Sequence, residues 1–406
     1  MKYLVVLGDG MADFPVPELG GKTPLQVSKK PLMDKLASLG EMGMVKNVPA
    51  GLPPGSDVAN LSVMGYDPRL YYTGRSPLEA ASMGIDLGPN DVAFRCNLVT
   101  LSDAPFYQEK TMVDYSSDEI TTAESEILTK DIAKALNTEN FSFYPGISYR
   151  HLMVWHNGPT QCELTPPHDI SDRPITDHLP KGEGAAQLLE LMQKSVPILK
   201  NHPINEARIQ KGLRPATSIW LWGQGKKPSI QSFYEKFHLQ GAVISAVDLA
   251  KGLGVCAGLD VINVPGATGN VHTNFRGKAE AALKAFKDGQ DFVYLHFEAP
   301  DEAGHRGEVE NKIISIEKID SEVLAYLLRE MPKITTDFKI MLLPDHPTPL
   351  ALKTHVSDPV PFVIYRYTPG EPIENHRSYD EESARQTKFL VENGYRLMER
   401  FIEQNS

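Results

Sequence analysis

Cysteine is scarce in this chain. Cys96, Cys162 and Cys256 are scattered over 406 residues with no C-x-x-C between them. The odd count argues against a disulfide framework, and a reducing, cytoplasmic setting follows. Positive charge is also short: 41 Lys and Arg stand against 52 Asp and Glu, a net charge of −11. No basic footprint for nucleic acid is present. A phosphorylated ligand would need local cations or metal ions to be held here. Long apolar runs are missing too. No 18-residue apolar stretch exists, so no membrane span is expected. The N-terminal run at 3–7 is too short for the apolar core of a secretory signal. Internal repeats and low-complexity segments are absent.

What the chain has is a series of short apolar runs. "YLVVL" (3–7) is bounded by glycine and reads as a strand buried on both faces. "AVISA" (242–246), "DVINV" (260–264), "FVYLHF" (292–297), "FKIMLL" (338–343) and "PFVIYR" (361–366) read the same way. Helical periodicity covers 275–287, 308–331 and 380–403. Alternating strands and helices predict an α/β fold, a mostly parallel sheet flanked by helices. From about 90 to 225 the character changes, with more proline and separate short strands in "FRCNLVTL", "YRHLMVW" and "SIWLWG". Helices are expected near 121–136 and 182–200. This predicts an inserted, smaller α/β domain at 89–227, within a discontinuous core of 1–88 and 228–406.

Several strands end in residues that bind metals. "YLVVLGDG" ends at Asp9; "FVYLHFEAPDEAGH" supplies Asp301 and His305; "FKIMLLPDHPTP" supplies Asp345 and His346; "KTHVSDPVPF" carries His355 before the next strand. Ligands of open α/β sheets bind outside the carboxyl ends of the strands, which would gather these residues at one edge. Taken singly, each is an ordinary turn, cap or surface residue. Ser56, in "GSDVANLS", follows a Gly/Pro-rich loop at a helix start. Alone it reads as a helix cap, or as a nucleophile where a helix N-terminus favours an anion. Three Asp, three His and one Ser suit two ions better than one tetrahedral site. Two divalent ions ~3.5–4 Å apart can clamp a phosphoryl group in transfer. Mixed Asp/His ligation suits Mn²⁺ or Zn²⁺ better than Ca²⁺.

The strings "LGDGMAD", "GSDVANLSVMGYDP", "YYTGRSPLEAA", "EAPDEAGH", "PDHPTP" and "KTHVSDPVPF" together resemble the archaeal-type, bisphosphoglycerate-independent phosphoglycerate mutases of the alkaline phosphatase superfamily. The resemblance runs over nearly the whole chain and is thinner in the insertion. It implies an alkaline-phosphatase-like core with an inserted substrate-holding domain. The implied activity is interconversion of 3- and 2-phosphoglycerate without bisphosphoglycerate, by a cytoplasmic enzyme. It implies two divalent ions, Mn²⁺ first, with Zn²⁺, Co²⁺ or Mg²⁺ as substitutes. Carried over by position, Asp9, Ser56, Asp345 and His346 would hold one ion, and Asp301, His305 and His355 the other. Ser56 would be the nucleophile that is transiently phosphorylated, and this displaces the capping reading. The second superfamily outcome is a metal-dependent phosphatase or another phosphomutase.

Holding glycerate takes cations for its carboxylate and polar groups for its hydroxyls. Candidates are Arg150, His151, His168 and Arg208. Asp169 is a candidate base for the substrate hydroxyls. Lys251 resembles the family's lysine near the phosphate, and Asn60 shares a helix face with Ser56. Arg75 is balanced between binding phosphate and pairing with Glu79. Arg173 and Arg214 read as surface charges. The expected partner is a small phosphoglycerate, with neither nucleic acid nor membrane; a homo-oligomer stays open.

Overall fold

The computed structural model describes residues 1–370 and 376–403. The chain divides into two compact units, Met1–Tyr72 with Ser229–Ser406, and Thr73–Pro228.

The first unit is built on an eight-stranded sheet. Its order is Asp260–Val261, Gly241–Ile244, Phe292–Phe297, Lys2–Gly8, Phe338–Leu343, Val360–Arg366, Glu41–Val45, Leu390–Val391. The first five strands are parallel. Val360–Arg366 runs antiparallel to both its neighbours. The central strands are apolar without alternation because both faces are covered: Leu4, Val5, Val6 and Leu7 are all fully buried. Leu7 pairs with Leu343, and Gly8 with Phe297. The chain therefore leaves three neighbouring strands at one edge, at Asp9, Glu298 and Pro344.

Two helical stretches differ from the sequence reading. The 308–331 stretch is helix Val309–Lys318, a wide π turn at Ile319–Leu324, then helix Ala325–Glu330. The π turn delivers Asp320, whose Oδ1 accepts from the N–H groups of Leu32 and Met33. It thereby caps helix Pro31–Leu39, whose own Lys30 makes no cap bond. The 380–403 stretch is not one helix but two, Glu381–Gln386 and Arg396–Glu403. Lys388 takes a left-handed φ of 57°, and Leu390–Val391 pairs with the sheet edge.

The second unit centres on the long strand Val92–Leu101. It pairs antiparallel with Arg150–Trp155 on one side and Ser218–Lys226 on the other. Helices Thr122–Leu136 and Ala185–Leu199 bury Leu128, Ile132, Leu188 and Met192 on one face. Ser76–Ser82 packs on the other, where Ala80 meets Ala93, Leu152 and Val154. That helix belongs with this sheet, so the unit begins at Thr73, upstream of the residue 89 read from the sequence. No helix among the described residues is long and apolar enough to cross a membrane.

Candidate active site

The parallel edge of the first unit collects the chemistry. Asp9 follows Lys2–Gly8. Asp301 and His305 lie one turn apart on helix Ala299–Arg306, which starts just past Phe292–Phe297. Asp345 and His346 follow Phe338–Leu343. His346 Nε2 lies 3.0 Å from Ser56 Oγ, 3.3 Å from Asp345 Oδ2 and 3.5 Å from Asp9 Oδ1. His305 Nε2 lies 2.8 Å from His355 Nε2 and 3.3 Å from Asp301 Oδ2. His355 Nε2 is 3.4 Å from Asp301 Oδ1, and the His346 and His355 rings are 4.2 Å apart. The seven side chains thus form one connected cluster. Two overlapping triads, Asp9/Asp345/His346 and Asp301/His346/His355, each bring their donor atoms within 4.8 Å.

Ser56 does not use its hydroxyl to cap. The cap position of helix Ser56–Val63 is Gly55, with no side-chain bond, and Ser56 is the first helical residue. Its Oγ is therefore left to face His346.

The donor set fits a cation. Asp9 Oδ1 is buried with no hydrogen-bond partner. Thr348 Oγ1 donates to Asp301 Oδ1, which leaves its oxygen to accept from His346 Nδ1 at 3.3 Å. His346 Nε2 then offers its lone pair beside Ser56 Oγ and two carboxylate oxygens, a convergence of acceptors that suits a cation. Burial, then the charges of Asp345 and Asp301, raise the Asp9 carboxyl well above its usual range. Burial pushes Asp301 up as well, but hydrogen bonds from His305 and His355 outweigh it and hold that carboxyl well below. Burial lowers His346. Gly10, at φ 60°, lets the strand-end loops meet: a Cβ there would fall 2.6 Å from Asp301 Oδ1 and 2.8 Å from its Cα.

Asn60, expected to touch substrate, is fully buried and occupied internally. Its amide donates to Ser56 O at 2.8 Å and Asp345 Oδ2 at 2.9 Å, and its carbonyl accepts from Tyr294 Oη at 2.6 Å. It organises Ser56 and Asp345. Lys251 stands on helix Asp248–Cys256, close enough to lower the buried Lys278 ammonium electrostatically. Burial is the larger cause of that shift, to about 8, and Glu298 opposes it.

The remaining candidates lie in the second unit. Arg150 is exposed, its guanidinium 5.7 Å from the Tyr149 ring. His168 stands edge-on to Tyr115 and Trp222, with Asp169 Oδ1 3.6 Å from its Nε2. Burial lowers its pKa; Asp169 opposes that, and Arg95 and Arg75 add to it. Glu79 bridges Arg75 and Arg95, 3.1 Å from each, so of the two readings of Arg75 the Glu79 pair is present, and it is shared. Two further candidates are buried. His151 is 2% exposed and accepts from Gly146 N–H through Nδ1. Arg208 is 1% exposed, pairs with Glu124 and donates to the carbonyls of Ser117 and Arg214. The Arg208 guanidinium is thus engaged within the unit, while His151 Nε2 is buried with no hydrogen-bond partner. Arg214, read as a surface charge, pairs with Asp114 and Asp118.

The sequence reading missed His296, Thr348 and the Asp13–Lys312 pair, all buried beside the cluster. Only His296 left a signal, a polar residue inside the apolar run "FVYLHF".

A family model described as 2,3-bisphosphoglycerate-independent phosphoglycerate mutase matches residues 37–205. A relative from Geobacter sulfurreducens, named probable 2,3-bisphosphoglycerate-independent phosphoglycerate mutase, is 56% identical over 99% of this chain and 100% of its own. The chain belongs to this mutase family. Among solved structures, the PH0037 protein from Pyrococcus horikoshii matches with a TM-score of 0.81 at 30% identity, covering 99% of this chain and 96% of that one. The cofactor-independent phosphoglycerate mutase from Thermoplasma acidophilum matches with a TM-score of 0.64 at 26% identity, over the full length of both.

Proposed function

We propose that this mutase-family chain interconverts 3-phosphoglycerate and 2-phosphoglycerate without bisphosphoglycerate, through a phosphoserine at Ser56. The observation that carries the reading is Ser56 Oγ, free of capping duty and 3.0 Å from His346 Nε2 in a cluster of buried carboxylates. Asp9, Ser56, Asp345 and His346 would hold one divalent ion, and Asp301, His305 and His355 a second, with Mn²⁺ the expected metal. When bound, the ions lower the pKa of the serine hydroxyl and neutralise the phosphoryl oxygens.

The chain's own groups do the rest. The N-terminus of helix Ser56–Val63 supplies backbone N–H groups to a phosphoserine dianion. Asn60 fixes the Ser56 backbone and one Asp345 oxygen. Lys251 contributes positive charge for the phosphate. In the second unit, Arg150 and His168 supply charge and hydrogen bonds for the glycerate, and Asp169 accepts and returns the hydroxyl proton.

Phosphorus NMR of metal-loaded protein with 3-phosphoglycerate, and no bisphosphoglycerate, tests this. The expected product is 2-phosphoglycerate. Free phosphate alone would overturn the mutase reading in favour of a phosphatase.

A further inference from the structure

His296 lies one strand away from Asp9, and nothing in the reaction above uses it. It sits on Phe292–Phe297, 1% exposed, with both ring nitrogens engaged. Nδ1 is 3.0 Å from Ser245 Oγ, and Nε2 is 2.9 Å from Asp9 Oδ2. The donors can be assigned by elimination. Asp9 Oδ2, as a carboxylate oxygen, can only accept, so Nε2 donates; Nδ1 of the neutral ring then accepts from the Ser245 hydroxyl, which itself accepts from Val247 N–H at 2.9 Å. The ring proton is then on Nε2 and is donated to Asp9 Oδ2. The backbone is pinned as well, since Lys278 Nζ donates to His296 O at 3.0 Å.

We infer that His296 is a positioning residue: by holding Asp9 Oδ2 it leaves the unpartnered Oδ1 as the single Asp9 atom aimed at the metal beside His346 and Asp345. The inference rests on the metal reading above. Val247 occupies the N-cap position of helix Asp248–Cys256, which carries Lys251, so the relay Val247–Ser245–His296–Asp9 runs from that helix through strand Phe292–Phe297 to the end of Lys2–Gly8. The relay therefore links the ion nearest Ser56 to the helix that bears the phosphate-side lysine. Partners of this kind hold a ligand's orientation, and their loss costs roughly 10–100-fold in metal affinity.

The test is Mn²⁺ titration of the metal-free full chain, followed by the electron paramagnetic resonance signal of free Mn²⁺. Wild type is expected to bind two ions. His296→Leu should weaken one of them 10–100-fold and leave the other unchanged. His296→Gln, whose side-chain amide keeps a donor near the Nε2 position, should recover most of the loss. Ser245→Ala, a smaller disturbance, should weaken the same ion by less. Wild-type affinities for both ions in all three variants would overturn the role of His296 while leaving the metal reading intact. Equal losses in His296→Gln and His296→Leu would also overturn it, since the donor would then be irrelevant. No Mn²⁺ bound by the wild type would instead overturn the metal reading.

Discussion

Lys312 Nζ lies 2.7 Å from Asp13 Oδ2, and the two side chains are 0% and 1% exposed. The ammonium also donates to Thr348 O at 2.8 Å and Ala12 O at 3.3 Å. Asp13 accepts from the N–H groups of Phe14 and Leu350. One buried pair thus ties the loop after Asp9 to the loop after His346, beneath the cluster.

Removing one partner of such a pair leaves the other charged in a dry place. Lys312→Met is expected to cost about 3–5 kcal/mol. Lys312→Met with Asp13→Leu should cost less than that single change, since no orphan charge remains. Urea unfolding of the three proteins decides it, and a double variant weaker than Lys312→Met would refute the account.

Arg208 is expected to matter for stability of the second unit. It holds Ser117 O, the first of three residues, Ser117, Asp118 and Glu119, with positive φ. Arg208→Met leaves that carbonyl and Glu124 without their cation, at about 2–3 kcal/mol. All three tryptophans, Trp155, Trp220 and Trp222, belong to this unit, so their fluorescence reports its unfolding alone. An unchanged tryptophan transition with a raised KM would return Arg208 to a substrate role.

His151 gives the same unit an acid limit. Burial lowers its pKa from 6.5 to about 3. Between those values the unfolded chain takes up a proton that the folded chain refuses. Its contribution is therefore complete above pH 6.5 and is lost as pH falls toward 3, at ~1.4 kcal/mol per pH unit for one proton. His151→Asn keeps an acceptor for Gly146 N–H and cannot charge. It should show a shallower fall of the tryptophan transition below pH 6.5. Identical slopes would count against the assignment.

The site was legible where chemistry sits next to a strand end in sequence. Asp9, Asp301 and Asp345 each lie within four residues of an apolar run, and parallel register brings those ends together without further information. What closes the site from behind was not legible. Lys312 and Asp13 are 299 positions apart, and nothing local marks either. Asn60 was placed correctly on the Ser56 face, but its partners, Tyr294 and Asp345, come from distant strands, and they turn it from a contact into an organiser. The 380–403 stretch has helical periodicity throughout. Pairing of Leu390 and Val391 with Met44 and Val45 overrides that propensity.

Ser56 carries the most direct prediction. Its hydroxyl makes no cap bond, so Ser56→Ala should leave the helix intact. The loss expected is the bond to His346, about 1 kcal/mol, small against a stability of roughly 5–15 kcal/mol. Turnover should instead fall by several orders of magnitude, because the proposed nucleophile and one proposed metal ligand would vanish together. Rapid quench with ³²P-labelled 3-phosphoglycerate should place the label on Ser56 in the wild type and on no residue in the variant. The nearest competing acceptor is His346, whose Nε2 lies 3.0 Å away. Acid lability separates the two, since a phosphohistidine is lost under acid quench and a phosphoserine survives it. Acid-labile label, or a Ser56→Ala protein turning over near the wild-type rate, would remove the serine from the mechanism while leaving the family and the fold where they stand.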